Sequence, residues 1–120
     1  MNLRLDQTSI RLRVSYSEAT RLASGLELSE QLPFFDEGVL LRIVVCGDRL
    51  SIHADRSRNQ FDIHLPKVNL EAILHNISKT HRPRSEECEV SDLVNINGRL
   101  VEMRFEVDRM SLNKQGDIKK

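Results

Sequence analysis

Apolar and polar residues alternate most clearly in Ser9-Ile10-Arg11-Leu12-Arg13-Val14-Ser15, where Ile10, Leu12 and Val14 enclose two arginines. A pleated strand sends alternate side chains to opposite faces, so this segment predicts a strand with one dry face and one cationic face. Ser15 and Glu18 stand three apart at its end. That spacing predicts a capping box, in which the serine side chain accepts from the Glu18 amide and the glutamate reaches back to the Ser15 amide. The strand should therefore run straight into a helix.

Similar patterning recurs along the chain. Leu3 and Leu5 around Arg4 predict a short first strand, with a turn at Asp6-Gln7-Thr8. Ala19, Leu22, Ala23 and Leu26 share a helical face, predicting a helix over Tyr16–Ser24 closed by Gly25. Leu26 to Leu32 alternates imperfectly and reads as a strand that Pro33 confines to an edge or an end. Phe34 to Gly38 is a connection. Val39 to Cys46, interrupted only by Arg42, predicts a central strand apolar on both faces. Gly47-Asp48 suits a hairpin turn, from which Leu50–Ala54 should return antiparallel. After the polar loop 55–59, Phe61 to Leu65 alternates again and stops at Pro66.

Leu70, Ile73, Leu74 and Ile77 predict a second helix over Leu70–Ser78 with Asn69 as its cap. Residues 79–89 have no apolar position before Cys88 and read as a mobile loop. Asp92–Ile96 and Leu100–Val107 flank Asn97-Gly98, a strong hairpin signal. The expectation is an α+β domain over residues 1–108: a mainly antiparallel sheet, or a partly closed barrel, of about seven strands with two short helices. Residues 109–120 form a tail, and no internal repeat is evident.

Composition narrows the function classes. The 120 residues are 39% hydrophobic and 30% charged, a globular mixture. Lys plus Arg and Asp plus Glu number 18 each, and the chain has no Trp, one Tyr and four Phe. Zero net charge and few stacking platforms weigh against nucleic acid. No apolar run reaches signal-peptide or bilayer-spanning length, so the expectation is a cytoplasmic protein without a membrane association. Cys46 and Cys88 are too few for a disulfide scaffold.

The polar positions of the strands form one constellation: Arg4, Arg11, Arg13, Glu27, Arg42, Ser51, His53, Asp62, His64, Glu102, Arg104, Glu106 and Asp108. Faced into a barrel, Arg11, Arg13, Arg42 and Arg104 would bind phosphate through their guanidinium forks. Glu102, Glu106 and Asp108 would then hold a divalent cation, giving a phosphate-binding or phosphohydrolase site. Faced to water, the same residues form ordinary cross-strand ion pairs, which is the common behaviour of such sheets. His53 and His64 can approach across adjacent strands, but two ligands make no zinc site, and neither cysteine sits as a nucleophile would. No nucleophile elbow, phosphate loop or dinucleotide fingerprint occurs, and no cofactor is expected.

The run Met1-Asn2-Leu3-Arg4-Leu5, then Ser9-Ile10-Arg11-Leu12-Arg13-Val14-Ser15 and Ser17-Glu18, resembles the opening of a family of small uncharacterised bacterial proteins, a domain of unknown function. Phe61-Asp62-Ile63-His64-Leu65-Pro66 and Met103-Arg104-Phe105-Glu106-Val107-Asp108 are similar to that family's middle and C-terminal strands, while residues 79–89 depart from it. The resemblance implies a shared fold and a bacterial source, and no activity.

Without an assembled catalytic motif, and with several short strands leaving edges free, the expectation is a small non-catalytic protein that binds a protein partner or a second copy of itself. The alternative is the phosphate-ligand barrel, metal-dependent or not.

Overall fold

The computed structural model describes residues 1–6, 8–32, 38–79, 84–96 and 98–108. The connection at Pro33–Glu37, most of the basic run after Lys79, Asn97 and the tail lie outside the described residues.

Eight strands and two helices follow one another: β1 (Asn2–Leu5), β2 (Ser9–Ser15), α1 (Tyr16–Ala23), β3 (Leu28–Leu32), β4 (Val39–Val45), β5 (Ser51–Asp55), β6 (Gln60–Leu65), α2 (Lys67–Lys79), β7 (Glu89–Ile96) and β8 (Arg99–Asp108). Short 3₁₀ turns at Arg56–Arg58 and Ser85–Cys88 precede β6 and β7. The capping box forms as the spacing requires. The Glu18 amide donates to Ser15 Oγ at 3.1 Å, and the Ser15 amide donates to Glu18 Oε1 at 2.9 Å. Glu18 also receives the amine of Met1 at 3.0 Å. Gly25, at φ +95°, ends α1 in the left-handed conformation, where a Cβ would be strained.

The strands form two four-stranded sheets, ordered β1-β2-β8-β7 (sheet A) and β3-β4-β6-β5 (sheet B). Neither is a closed barrel, and neither is purely antiparallel. Four antiparallel hairpins, β1–β2, β3–β4, β5–β6 and β7–β8, are joined through parallel central pairs, β2 with β8 and β4 with β6. The turn at Gly47-Asp48 therefore does not make a hairpin: β6 lies between β4 and β5, and β5 pairs only with β6.

The order of pairing exposes a duplication that the residues do not advertise. Residues 2–45 are hairpin, helix, hairpin, and residues 51–108 repeat that plan. Each half gives its first hairpin to one sheet and its second to the other, with the later strand of every hairpin at the sheet centre. Ile63 of β6 corresponds to Leu12 of β2, and Ile43 of β4 to Phe105 of β8; all four are fully buried. The helices correspond too, with Ala19 and Leu22 in α1 matched by Leu70 and Ile73 in α2, all buried. No repeat is evident in the sequence because the matched positions share only burial and apolar character, not residue identity or size, as Ala19 with Leu70 and Ile43 with Phe105 show.

One continuous core contains the inner faces of both sheets and the buried sides of both helices. α1 touches β2 and β8 of sheet A and β4 of sheet B, and packs on α2. α2 starts at Lys67, immediately after Pro66, so Asn69 lies inside the helix and does not cap it. Proline lacks the N–H that a strand ladder would use and accepts at its carbonyl, here from the Leu70 amide at 3.2 Å. Between α2 and β7, the 3₁₀ turn buries Cys88 to 2% exposure, and the Asn76 side chain donates to the Glu87 carbonyl.

Candidate functional site

With the apolar residues of β2 and β8 turned inward, the even-numbered residues of β8 and the arginines of β2 share the outer face of sheet A. Arg4 of β1, Arg11 of β2, Arg104 of β8 and Ser91 of β7 stand side by side on one rung. The next rung is Asn2, Arg13, Glu106 and Glu89.

Glu106 is the hub. Only 7% of it is exposed, and it is the one charged residue among the buried ones described. Arg11 donates to it through Nε at 3.0 Å and Nη2 at 3.4 Å, and Arg13 through Nε at 2.9 Å. Burial pushes the Glu106 carboxyl up, but the hydrogen bonds from Arg13 and Arg11 and their charges outweigh it and hold it below the usual range. The Nη1 of Arg11 and both Nη nitrogens of Arg13 take no part in these bonds. Arg104 lies 3.3 Å from Glu102 and 3.9 Å from Glu89.

A cleft of about 370 Å³ opens beside this hub, lined by Arg11, Arg13, Arg104, Glu106, Asp108 and Glu89, with Ser85 and Cys88 at the end formed by the 3₁₀ turn. The volume is at the small end of ligand sites.

The equivalent face of sheet B shows what the fold alone requires. Its matching rung is His53, Asp62, Arg42 and Ser29. Both rungs end in arginine and serine, but where sheet A has Arg11 against Arg104, sheet B sets Asp62 against Arg42. Arg42 donates to both Asp62 oxygens, at 3.1 and 2.8 Å, and reaches Glu27 at 3.4 Å. The Arg42 hydrogen bond holds the Asp62 carboxyl below its ordinary value against the effect of burial. The rings of His53 and His64 meet at a tilt of 37° with centres 4.3 Å apart, and burial followed by the His53 charge lowers the His64 pKa. Val44 holds the place that Glu106 holds in sheet A, so the fold has no need of a buried acid there.

Of the residues singled out in the sequence, the structure thus gathers Arg11, Arg13, Arg104, Glu106 and Asp108 on one cleft. Arg42 lies on the other sheet and cannot join them. Glu102 sits one rung beyond the cleft, bonded to Arg104. The three acids do not converge: among the described residues no three His, Cys, Asp or Glu side chains are grouped to hold a metal. The cleft also takes in Ser85 and Cys88 from the 3₁₀ turn, a segment with no periodic signal in the sequence, while Arg4 lies on the same rung but does not line the cleft. Among the described residues no helix is long and apolar enough to cross a membrane.

No curated protein and no solved structure matches the chain. A family model does match, over residues 1–94, which takes in β1 to β6, both helices and most of β7 but not β8. The chain belongs to that family, a family of unknown function (DUF7009).

Proposed function

We propose that this protein is a non-catalytic binding module whose sheet A cleft takes a small anion, a phosphate or a carboxylate, on Arg11, Arg13 and Arg104. The observation that carries this reading is the like-charge pair Arg11–Arg104 in direct register. Like charges opposite each other destabilise a sheet, and the duplicate rung in sheet B relieves the same arginine with Asp62. Each of these arginines already has a carboxylate on its flank, Glu106 for Arg11 and Glu102 with Glu89 for Arg104. Among the described residues, however, none stands between the two guanidinium groups as Asp62 stands opposite Arg42; an anion bridging them fills that position. Glu106 prepares the site by fixing Arg11 through two parallel bonds, leaving the outer Nη groups of Arg11 and Arg13 directed to a ligand. Because Glu106 is engaged with Arg11 and Arg13 and Glu102 with Arg104, the site works through guanidinium contacts rather than through the metal that Glu102, Glu106 and Asp108 would have held.

Calorimetric titration with inorganic phosphate tests the proposal. Binding that weakens about tenfold or more in Arg11→Gln and in Arg104→Gln is expected, the size of one charge-assisted contact. Absence of binding, or equal binding by both variants, overturns it.

Self-association is the second reading, favoured by one observation: β1 and β7 in sheet A and β3 and β5 in sheet B are edges with a neighbour on one side only. Leu93 and Leu100, on the outer face of the β7–β8 hairpin, are 56% and 64% exposed. Light scattering over a concentration series decides it, a constant monomer mass counting against it.

A further inference from the structure

The row of guanidinium groups does not stop at the cleft. Arg4 is opposite Arg11 on the far side from Arg104, is exposed, and makes none of the ion pairs that engage the other three arginines. A second depression lies there, lined by Asn2, Arg4, Arg11, Arg13 and Glu106; at about 10 Å³ it is a surface dimple, so a group bound there sits on the guanidinium groups rather than within an enclosure. It shares Arg11, Arg13 and Glu106 with the main cleft, so the two are neighbours separated by the Glu106-clamped arginines.

Resting on the anion-binding reading above, we propose that Arg4 forms a second anion subsite, so that the ligand of this face carries two linked anionic groups, as a diphosphate does. The spacing supports it. One group would sit between Arg104 and Arg11 and the other between Arg11 and Arg4. Those two midpoints are one strand spacing apart, about 4.8 Å, a distance spanned by terminal oxygens on the two ends of a diphosphate, or by the two carboxylates of a short dicarboxylate. Arg11 stands at the centre, held by Glu106, and serves both groups with the donors Glu106 leaves over. Of the three cations in register, Arg11 and Arg104 have carboxylates on their flanks, and Arg4 is the one without an ion pair among the described residues. The sheet B rung carries His53 in the Arg4 position and Asp62 in the Arg11 position, so the row is not a demand of the fold.

Titration of the full chain and of Arg4→Gln with inorganic phosphate, pyrophosphate and glutarate tests the assignment. Arg4 is exposed on an edge strand, and an unchanged thermal midpoint will show that the variant folds. Pyrophosphate should bind the parent protein about tenfold tighter than phosphate, and Arg4→Gln should remove that advantage while leaving phosphate affinity within about twofold. The same loss on glutarate rather than pyrophosphate supports the two-group site and assigns it to carboxylates. Phosphate binding that depends on Arg11 together with a pyrophosphate advantage indifferent to Arg4→Gln overturns this inference and leaves the anion-binding reading standing. No binding of phosphate, pyrophosphate or glutarate overturns both.

Discussion

Glu106 concentrates the energetics of the outer face in one side chain. Replacing it by glutamine keeps its shape and removes the charge that separates Arg11 from Arg13. Removing one partner from a buried ion pair costs several kcal/mol; with both arginines about 40% exposed, solvent screening reduces that to about 2 kcal/mol for Glu106→Gln. The pH dependence follows from the direction of its shift. Its folded pKa lies below the unfolded value, so its contribution is complete above the unfolded value of about 4.3 and fades as pH falls through the folded value. Asp62 and Glu18 are shifted the same way and lose their contributions over the acidic range too. Urea melts from pH 7 down to pH 3 should therefore show falling stability, with a shallower fall in Glu106→Gln. An equally steep fall in the variant would place the acid sensitivity elsewhere. At this scale the sequence was informative about which residues are polar-faced and silent about which of them meet. Arg42 and Arg104 sit in the same alternation, yet only the sheet each belongs to decides whether a carboxylate or a guanidinium stands opposite.

The individual elements were the most legible part of the molecule. Alternation identified the strands within a residue or two, except β7, which begins three residues earlier at Glu89, because it reports burial on one face, a local property. The Ser15–Glu18 junction was legible for the same reason, since both partners lie within one turn. Ser15→Ala should lower stability by about 1 kcal/mol, as loss of a serine N-cap commonly does, measurable as a drop in the urea midpoint at unchanged slope. Glu18→Gln should lose in addition its pairing with the Met1 amine. A neutral Ser15→Ala would mean that α1 is held by the burial of Ala19 and Leu22 alone. Partnerships between elements were not legible. The glycine turn after Cys46 signalled a reversal, and β5 does run back, but β6 takes the place beside β4. Nothing local in β4 distinguishes a parallel neighbour from an antiparallel one. The start of α2 was misplaced because Asn69 resembles a cap, whereas Pro66 ends β6 and admits the helix directly.

The molecule as a whole, 45 Å long and 26 Å across, is organised by the exchange of hairpins between its halves. Neither half can complete a sheet alone, because each sheet needs the central strand of the other half. Chains cut within the 46–50 link, with all eight strands retained, should therefore assemble when co-expressed and co-elute as one folded species. Each half made alone should lack cooperative unfolding by circular dichroism. A half that folds by itself would contradict the exchange. Duplication also explains why one face can specialise: sheet B keeps the neutralised Arg42–Asp62 pair, while sheet A is free to carry the arginine row.

The parallel pairing of β2 with β8 has a consequence for biosynthesis. Arg11 and Glu106 are 95 positions apart, and Leu12 gains Phe105 as its neighbour only when β8 has been made. A growing chain thus leaves the ribosome with its first hairpin waiting, an open backbone edge and oily side exposed, until β8 has been translated. Contacts so distant are slow to form, and that interval is when unfinished molecules are most prone to clump with one another.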